Sequence, residues 1–297
     1  MKKFNYQLAL LALPGFATLI AFYYVPLFGL LIPFKKMNYR KGIFGSPWVG
    51  FKNFEFFFKS NDAIRITRNT ILLNALFITV TLSLAIIIAL ILYEFTRRSV
   101  KVYQTAIFMP YFLSWVSFSY IIYAFLNPTL GLIPTIQKQM GLTPINFYFE
   151  ASYWPAILLG SYVWKNIGYT TLLFYTALLA VDVTYFEAAE IDGASKLQRI
   201  FHISLPTIGP VISLVALLQI GKIFYSDFGM FYFTTMDSGA LYKYTDVIDT
   251  YVFRALRVTG EIGMAAAVGL IQSVMGLILV VVTNKIAKKF DSDYGLF

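Results

Sequence analysis

A chain of 297 residues in which 58% of side chains are hydrophobic and only 13% are charged is not an ordinary soluble domain, where about a quarter carry charge. It has no cysteine and a single histidine, His202, which excludes disulfides, thiolate or His-based metal centres and Ser-His-Asp relays. The net charge of +9 is modest for this length and is met by anionic lipid headgroups without invoking nucleic acid.

Lys2 and Lys3 precede an apolar run over 8–33. The charged start is that of a signal peptide, but the apolar part is too long and no A-x-A site follows, so the run reads as an uncleaved first span. A polar, aromatic connection from Lys35 to Arg68 follows; an interfacial belt of Trp and Phe accounts for its aromatic content. Further apolar runs occupy 70–93, 103–126, 156–180, 207–225 and 262–283, each with the ~20 residues that a helix needs to cross the hydrocarbon core. Barrel-like alternation in segments of about 10 residues is absent. The expectation is an all-α integral membrane protein with six transmembrane helices, forming a single domain over 1–297.

Polar groups inside such runs are costly and point to solute pathways. Tyr162, Lys165 and Asn166 interrupt the fourth run, and Gln219, Lys222 and Tyr225 the fifth. They are the substrate-pathway candidates: hydroxyls and amides suit sugar hydroxyls, and the lysines suit a carboxylate. A packing role competes for each lysine, with Lys222 snorkelling or pairing with Asp227 and Lys165 pairing with an acid of another subunit. Charge counting leaves orientation open. One set of loops carries Lys2, Lys3, Arg97, Arg98, Lys101, Lys196, Arg199, Lys285, Lys288 and Lys289, yet the first loop of the other set is basic as well.

The most informative stretch is 185–206, YFEAAEIDGASKLQRIFHISLP. Good helix formers over 186–191 end at Asp192-Gly193, where glycine suits a left-handed turn. Ser195 and Gln198 then fit the capping box that opens a second helix. The pattern is helix, glycine turn, helix, with acids on the first arm and the bases Lys196 and Arg199 on the second.

Glu187, Ala188, Ala189, Asp192, Gly193, Ala194, Phe201, Ile203, Leu205 and Pro206 together resemble the EAA loop of binding-protein-dependent ABC importer permeases. Trp48-Val49-Gly50 with Asn53-Phe54 resembles the stretch after the first span of sugar permeases. Asp246–Arg254, Gly263–Val274 and Asn284–Ile286 resemble permeases for polysaccharides and complex oligosaccharides.

The resemblance implies the type I ABC importer permease fold in a bacterial plasma membrane, with both termini and the EAA loop cytoplasmic. It implies ATPase coupling through Glu187, Ala188, Ala189, Asp192, Gly193, Ala194, Phe201 and Pro206, with Glu187 facing an ATPase arginine. It also implies a second permease subunit (a heterodimer), a pair of ATPases and an extracellular or periplasmic solute-binding protein that delivers an oligosaccharide. The chain has no G-x-x-x-x-G-K-[ST] phosphate loop, so ATP and magnesium belong on the partner ATPase, and no catalytic residue, metal or cofactor is expected here. Lys222 departs from the resemblance by placing a charge in an apolar stretch, which leaves the solute class open. A permease for a non-sugar solute is the alternative. A secondary transporter would carry acids inside its spans, and none lies in the six runs.

Overall fold

The computed structural model describes residues 6–290 and 294–296; Lys2 and Lys3 lie outside the described residues. Regular structure among the described residues is helical, apart from one antiparallel bridge between Lys35 and Trp48. Helix α1 (Tyr6–Leu19) runs on through a π turn (Ile20–Tyr24) and a 3-10 stretch (Val25–Phe34). Pro26 has no N–H to offer the Phe22 carbonyl, and the ladder slips so that the Val25 N–H reaches Ile20 O. There follow α2 (Asn61–Tyr93), α3 (Arg97–Phe108), α4 (Trp115–Leu126), α5 (Leu132–Gln139), α6 (Trp154–Leu179), α7 (Val183–Ile191), α8 (Lys196–Arg199), α9 (Leu205–Ile220), α10 (Ile248–Arg254) and α11 (Ile262–Phe290).

Among the described residues, four helical stretches are long and apolar enough to cross a membrane: Leu10–Phe34, Asn61–Tyr93, Lys196–Ile220 and Ile262–Phe290. Two bent pairs raise the number to six when each is taken as one span. The run expected as the third span, 103–126, is one of these pairs, bent by 97° between Phe112 and Trp115. Pro110 and the N-cap Ser114, which accepts from the Ser117 N–H at 3.1 Å, make the break. The other pair bends by 70° between Leu179 and Val183. The fifth run, expected to stay helical to Tyr225, ends at Ile220 and becomes a turn over 221–224, so Lys222 and Tyr225 sit beyond the helix.

The chain divides into two compact units. In the first (Met1–Ile64 with Val252–Ser273), the Trp48–Phe54 motif has a clear structural task. Gly50 takes φ +62°, a left-handed turn that favours glycine. That turn brings the Asn53 amide onto the carbonyls of Pro33 (2.7 Å) and Lys35 (3.0 Å). Gly263 lies against the Asn53 side chain, where a Cβ would approach its amide nitrogen to 2.6 Å. Lys35, one of the basic residues of the first loop, is buried: its ammonium donates to Ile43 O and Phe44 O and stands 5.0 Å over the Trp48 ring.

The second unit (Arg65–Tyr251 with Val274–Phe297) holds the core. Its upper part gathers Leu73, Phe77, Trp154, Leu158, Met230, Phe231 and Val247 with Phe147 and Tyr148 from the loop between α5 and α6. That loop is a packed layer: Trp154 Nε1 donates to Phe147 O at 2.7 Å, and burial pushes the Tyr148 phenol up to about 12. A second cluster joins Ala85 and Ala89 of α2 to Phe174 and Leu178 of α6 and Ile208 of α9. In lipid no hydrophobic drive pulls helices together, so close approach of small residues matters. Gly168 of α6 fits under the Ile107 carbonyl, and Gly276 of α11 faces Gly221 O, which a Cβ would approach to 2.9 Å.

Helix α2 begins nine residues before the expected span because its polar first turns are bound. Arg65 pairs with Asp246 at 3.2 Å, and the Asn69 amide donates to the carbonyls of Lys243 and Asp246. Thr70 Oγ accepts from the Ile248 N–H and Thr250 Oγ donates to Asp246 Oδ1. Asp246-Val247-Ile248-Asp249-Thr250 is therefore a clasp on α2, with Asp246 only 1% exposed. Asp246→Ala should destabilise the subunit by about 2–3 kcal/mol, somewhat less than a fully buried broken pair because Arg65 is one-third exposed. Thermal unfolding of the detergent-purified complex reads this out; an unchanged midpoint would contradict it.

Candidate functional site

Two places in the second unit carry chemistry. The first is the elbow over 182–206. Asp182 caps α7 by accepting from the Thr184 N–H at 3.0 Å, and that bond holds its carboxyl below the usual carboxylate range. At the far end Gly193 has φ +77°; its N–H reaches Glu190 O (3.0 Å) and the Ala194 N–H reaches Ala189 O (2.9 Å). This pair of bonds is the Schellman ending of a helix. The capping box follows at once: the Ser195 N–H donates to Gln198 Oε1 at 2.7 Å and the Gln198 N–H to Ser195 Oγ at 3.4 Å. Arg199 pairs across the turn with Glu190 (3.5 Å), and Lys196 with Glu94 at the end of α2 and its following turn (3.0 Å).

The elbow has two faces. Phe186 packs 5.5 Å from the Tyr93 ring and, with Ile203, against the cluster around Phe174 and Ile208. On the other face Tyr185, Ile191, Leu197 and Phe201 are 62–87% exposed. Glu187, Ala188, Asp192, Gly193 and Pro206 are exposed beside them, and Ala189 and Ala194 half-buried. Glu187 and Asp192 make no ion pair among the described residues. Pro206 ends this region through a π turn (Ile200–Ser204), where the Leu205 N–H reaches Ile200 O.

The second place is a cavity of about 280 Å³ lined by Tyr162, Asn166, Gln219, Lys222 and Tyr225, together with Asn74, Phe77, Ser226 and Asp227. Five of the six expected pathway residues meet there. The sixth, Lys165, does not line it. Its ammonium donates to the carbonyls of Tyr111 (2.8 Å) and Leu113 at the break between α3 and α4, and stands 5.3 Å over the Trp115 ring. The expected Lys222–Asp227 pair does not form: Asp227 Oδ2 accepts from Trp115 Nε1 at 2.5 Å.

Against this geometry stand the comparisons with known proteins. A family model described as "Binding-protein-dependent transport system inner membrane component" matches residues 82–292. The chain belongs to this family. Protein LplB of Bacillus subtilis (strain 168) is 36% identical over 292 residues, 98% of this permease chain and 91% of that protein. The polygalacturonan/rhamnogalacturonan transport system permease protein YteP of the same organism is 33% identical over 287 residues, 96% and 89%. A chain in the crystal structure of a bacterial ABC transporter involved in import of the acidic polysaccharide alginate matches with a TM-score of 0.87 and 27% identity, over 96% of each chain. The fold is that of the type I ABC importer permeases, and the chain is a multi-pass inner membrane component.

Several site residues escaped sequence reading. Asn74 donates to Ile223 O (2.8 Å), Tyr225 O (3.1 Å) and Ser226 Oγ (3.2 Å), fixing the turn after α9. It is an amide inside an apolar run, the same signal that picked out Asn166. Trp115 left no such signal, and Asp249 stood out only as part of the Asp246–Arg254 stretch. Asp249, which accepts from the Ser226 N–H at 2.7 Å, acts on the cavity wall only through the fold.

Proposed function

We propose that this chain is the permease subunit of an ATP-driven importer of oligosaccharides or polysaccharide fragments. A solute-binding protein delivers the sugar, a second permease of similar fold completes the pathway as a heterodimer, and two separate ATPase subunits bind ATP and magnesium. The elbow faces the cytoplasm, as do both termini. The observation that carries the reading is the elbow's division into an anchored face and an exposed one. Phe186 and Ile203 seat it on the bundle, while Tyr185, Ile191, Leu197 and Phe201 present apolar surface around the exposed Glu187. Apolar side chains bunched on one outer face of a turn fit a partner groove.

Coupling is mechanical. The Schellman ending and the capping box make the two arms one rigid piece, so closure of an ATPase cleft on it moves α6 and α9 together. Glu187 lies on the rim of the apolar surface, where a carboxylate offers an ATPase arginine a bidentate partner. The cavity at the other end presents amide and hydroxyl groups from Asn166, Gln219 and Tyr162 to sugar hydroxyls. YteP and the alginate importer, both named for polysaccharides, support the sugar class.

The test is reconstitution of the chain with its partner permease and ATPases in proteoliposomes. ATP hydrolysis should rise several-fold on adding binding protein loaded with oligosaccharide, and labelled sugar should accumulate inside. Sugar accumulation driven by an ion gradient without ATPase subunits would refute the proposal.

A further inference from the structure

The cavity around Lys222 contains two charges of unlike standing. Asp227 also lines the cavity, but both its oxygens have partners: Trp115 Nε1 donates to Oδ2 at 2.5 Å, the Met230 N–H reaches Oδ1 at 3.4 Å, and the Lys165 ammonium stands over the same Trp115 ring at 5.3 Å. Lys222 has no counterpart. Its side chain is exposed to the cavity and makes no hydrogen bond, ion pair or ring contact among the described residues.

The backbone that bears Lys222 is fixed. Asn74 holds the carbonyls of Ile223 and Tyr225, the Asp249 carboxylate holds the Ser226 N–H, and Gly221 is pressed against Val280 and Gly276 of α11. A cation on a rigid turn, uncompensated and bordered by Gln219, Asn166 and Tyr162, is preorganised for an anion that also carries hydroxyl groups.

We infer that Lys222 is the specificity residue of this cavity and binds a sugar carboxylate, so that the solutes imported are uronate-containing oligosaccharides in preference to neutral ones. The inference rests on the importer reading above and adds to it the charge of the substrate and the group that reads it. An ammonium is a compact point charge on a flexible stem, suited to successive uronates passing along a path rather than to one fixed bidentate pose. Asp227 lines the same cavity, but its oxygens are occupied by Trp115 Nε1 and the Met230 N–H, which weakens its opposition to an incoming carboxylate.

The test uses the whole reconstituted importer with its binding protein. Uptake of galacturonate and mannuronate trisaccharides is compared with uptake of their methyl esters, in the wild type, Lys222→Gln and Lys222→Arg. Each pair of proteins receives a given sugar from the same binding protein, so that protein's own preference cancels in the mutant-to-wild-type ratio. Lys222→Gln should lower the uptake efficiency of the acids by roughly tenfold, the scale of one charge-assisted hydrogen bond, and that of the esters by a much smaller factor. Lys222→Arg should keep most of the acid uptake, and added salt should weaken acid uptake more than ester uptake in the wild type.

Equal loss for acids and esters would overturn the inference by making Lys222 a scaffold residue. So would an unchanged ratio, or a wild type that takes esters and excludes acids. If Lys222→Gln does not assemble, Lys222→Met replaces it in the same mutant-to-wild-type comparison, so the binding protein's preference still cancels. A wild type that moves neither form, with no ATPase stimulation by any loaded binding protein, removes the oligosaccharide reading first and this inference with it.

Discussion

Gly193→Val is expected to abolish the stimulation of ATP hydrolysis by the loaded binding protein while leaving the complex assembled. Gly193 holds φ +77°, and no atom lies within 4 Å of the position a Cβ would take, so the whole penalty is backbone strain. A non-glycine residue in that conformation costs about 1–2 kcal/mol, and a β-branched one is worse placed still. The chain relieves the strain by leaving the left-handed region, which breaks the bonds from Gly193 and Ala194 to Glu190 O and Ala189 O. The second arm then loses its fixed angle to the first, and the capping box at Ser195 swings with it.

The bundle itself is not touched, because the elbow is seated through Phe186 and Ile203 rather than through the turn. Basal hydrolysis, subunit stoichiometry and thermal unfolding should therefore stay near wild type. Gly193→Asn is the companion variant: asparagine visits the left-handed region readily and should retain much of the stimulation. Wild-type stimulation in Gly193→Val, or equal loss in both variants, would remove the rigid elbow from the coupling mechanism.

The elbow was legible in the sequence because its determinants are local. A glycine at a helix end and a Ser-x-x-Gln box specify their bonds within six residues, and both bonds are present at the expected atoms. The cavity was legible in part, since amides and hydroxyls inside apolar runs stand out whatever the fold. What failed was non-local. The basic count of the first loop includes Lys35, whose ammonium is spent on Ile43 and Phe44 carbonyls, and Arg65, whose partner Asp246 lies 181 residues away. Hydropathy stays high through Gly221, yet α9 stops at Ile220, next to the close approach of Gly221 and Gly276. Periodicity carries no information about a glycine on another helix.

Lys165 makes the same point and carries the second large effect. Its position in the middle of an apolar run suggests a cavity hook, but its direction depends on where the preceding helix breaks. Ser114 and Pro110 put that break opposite α6, and the ammonium supplies donors to the Tyr111 and Leu113 carbonyls that the break strips of helical partners. Lys165→Met keeps the stem and removes the donors, leaving two carbonyls unsatisfied at about 1–3 kcal/mol each. Trp115, relieved of the cation over its ring, also loses part of what aligns its indole N–H with Asp227.

The expected result is a loosened break, with the angle between α3 and α4 sampling a range instead of holding at 97°. The chain has no native cysteine, so spin labels placed by cysteine at the exposed Val102 and Tyr120 report that angle directly. The wild type should give one narrow distance distribution and Lys165→Met a broad one, with a lower unfolding midpoint and reduced transport. A distribution as narrow as the wild type's would mean that packing of α4 alone holds the bend, and that the ammonium is dispensable to it.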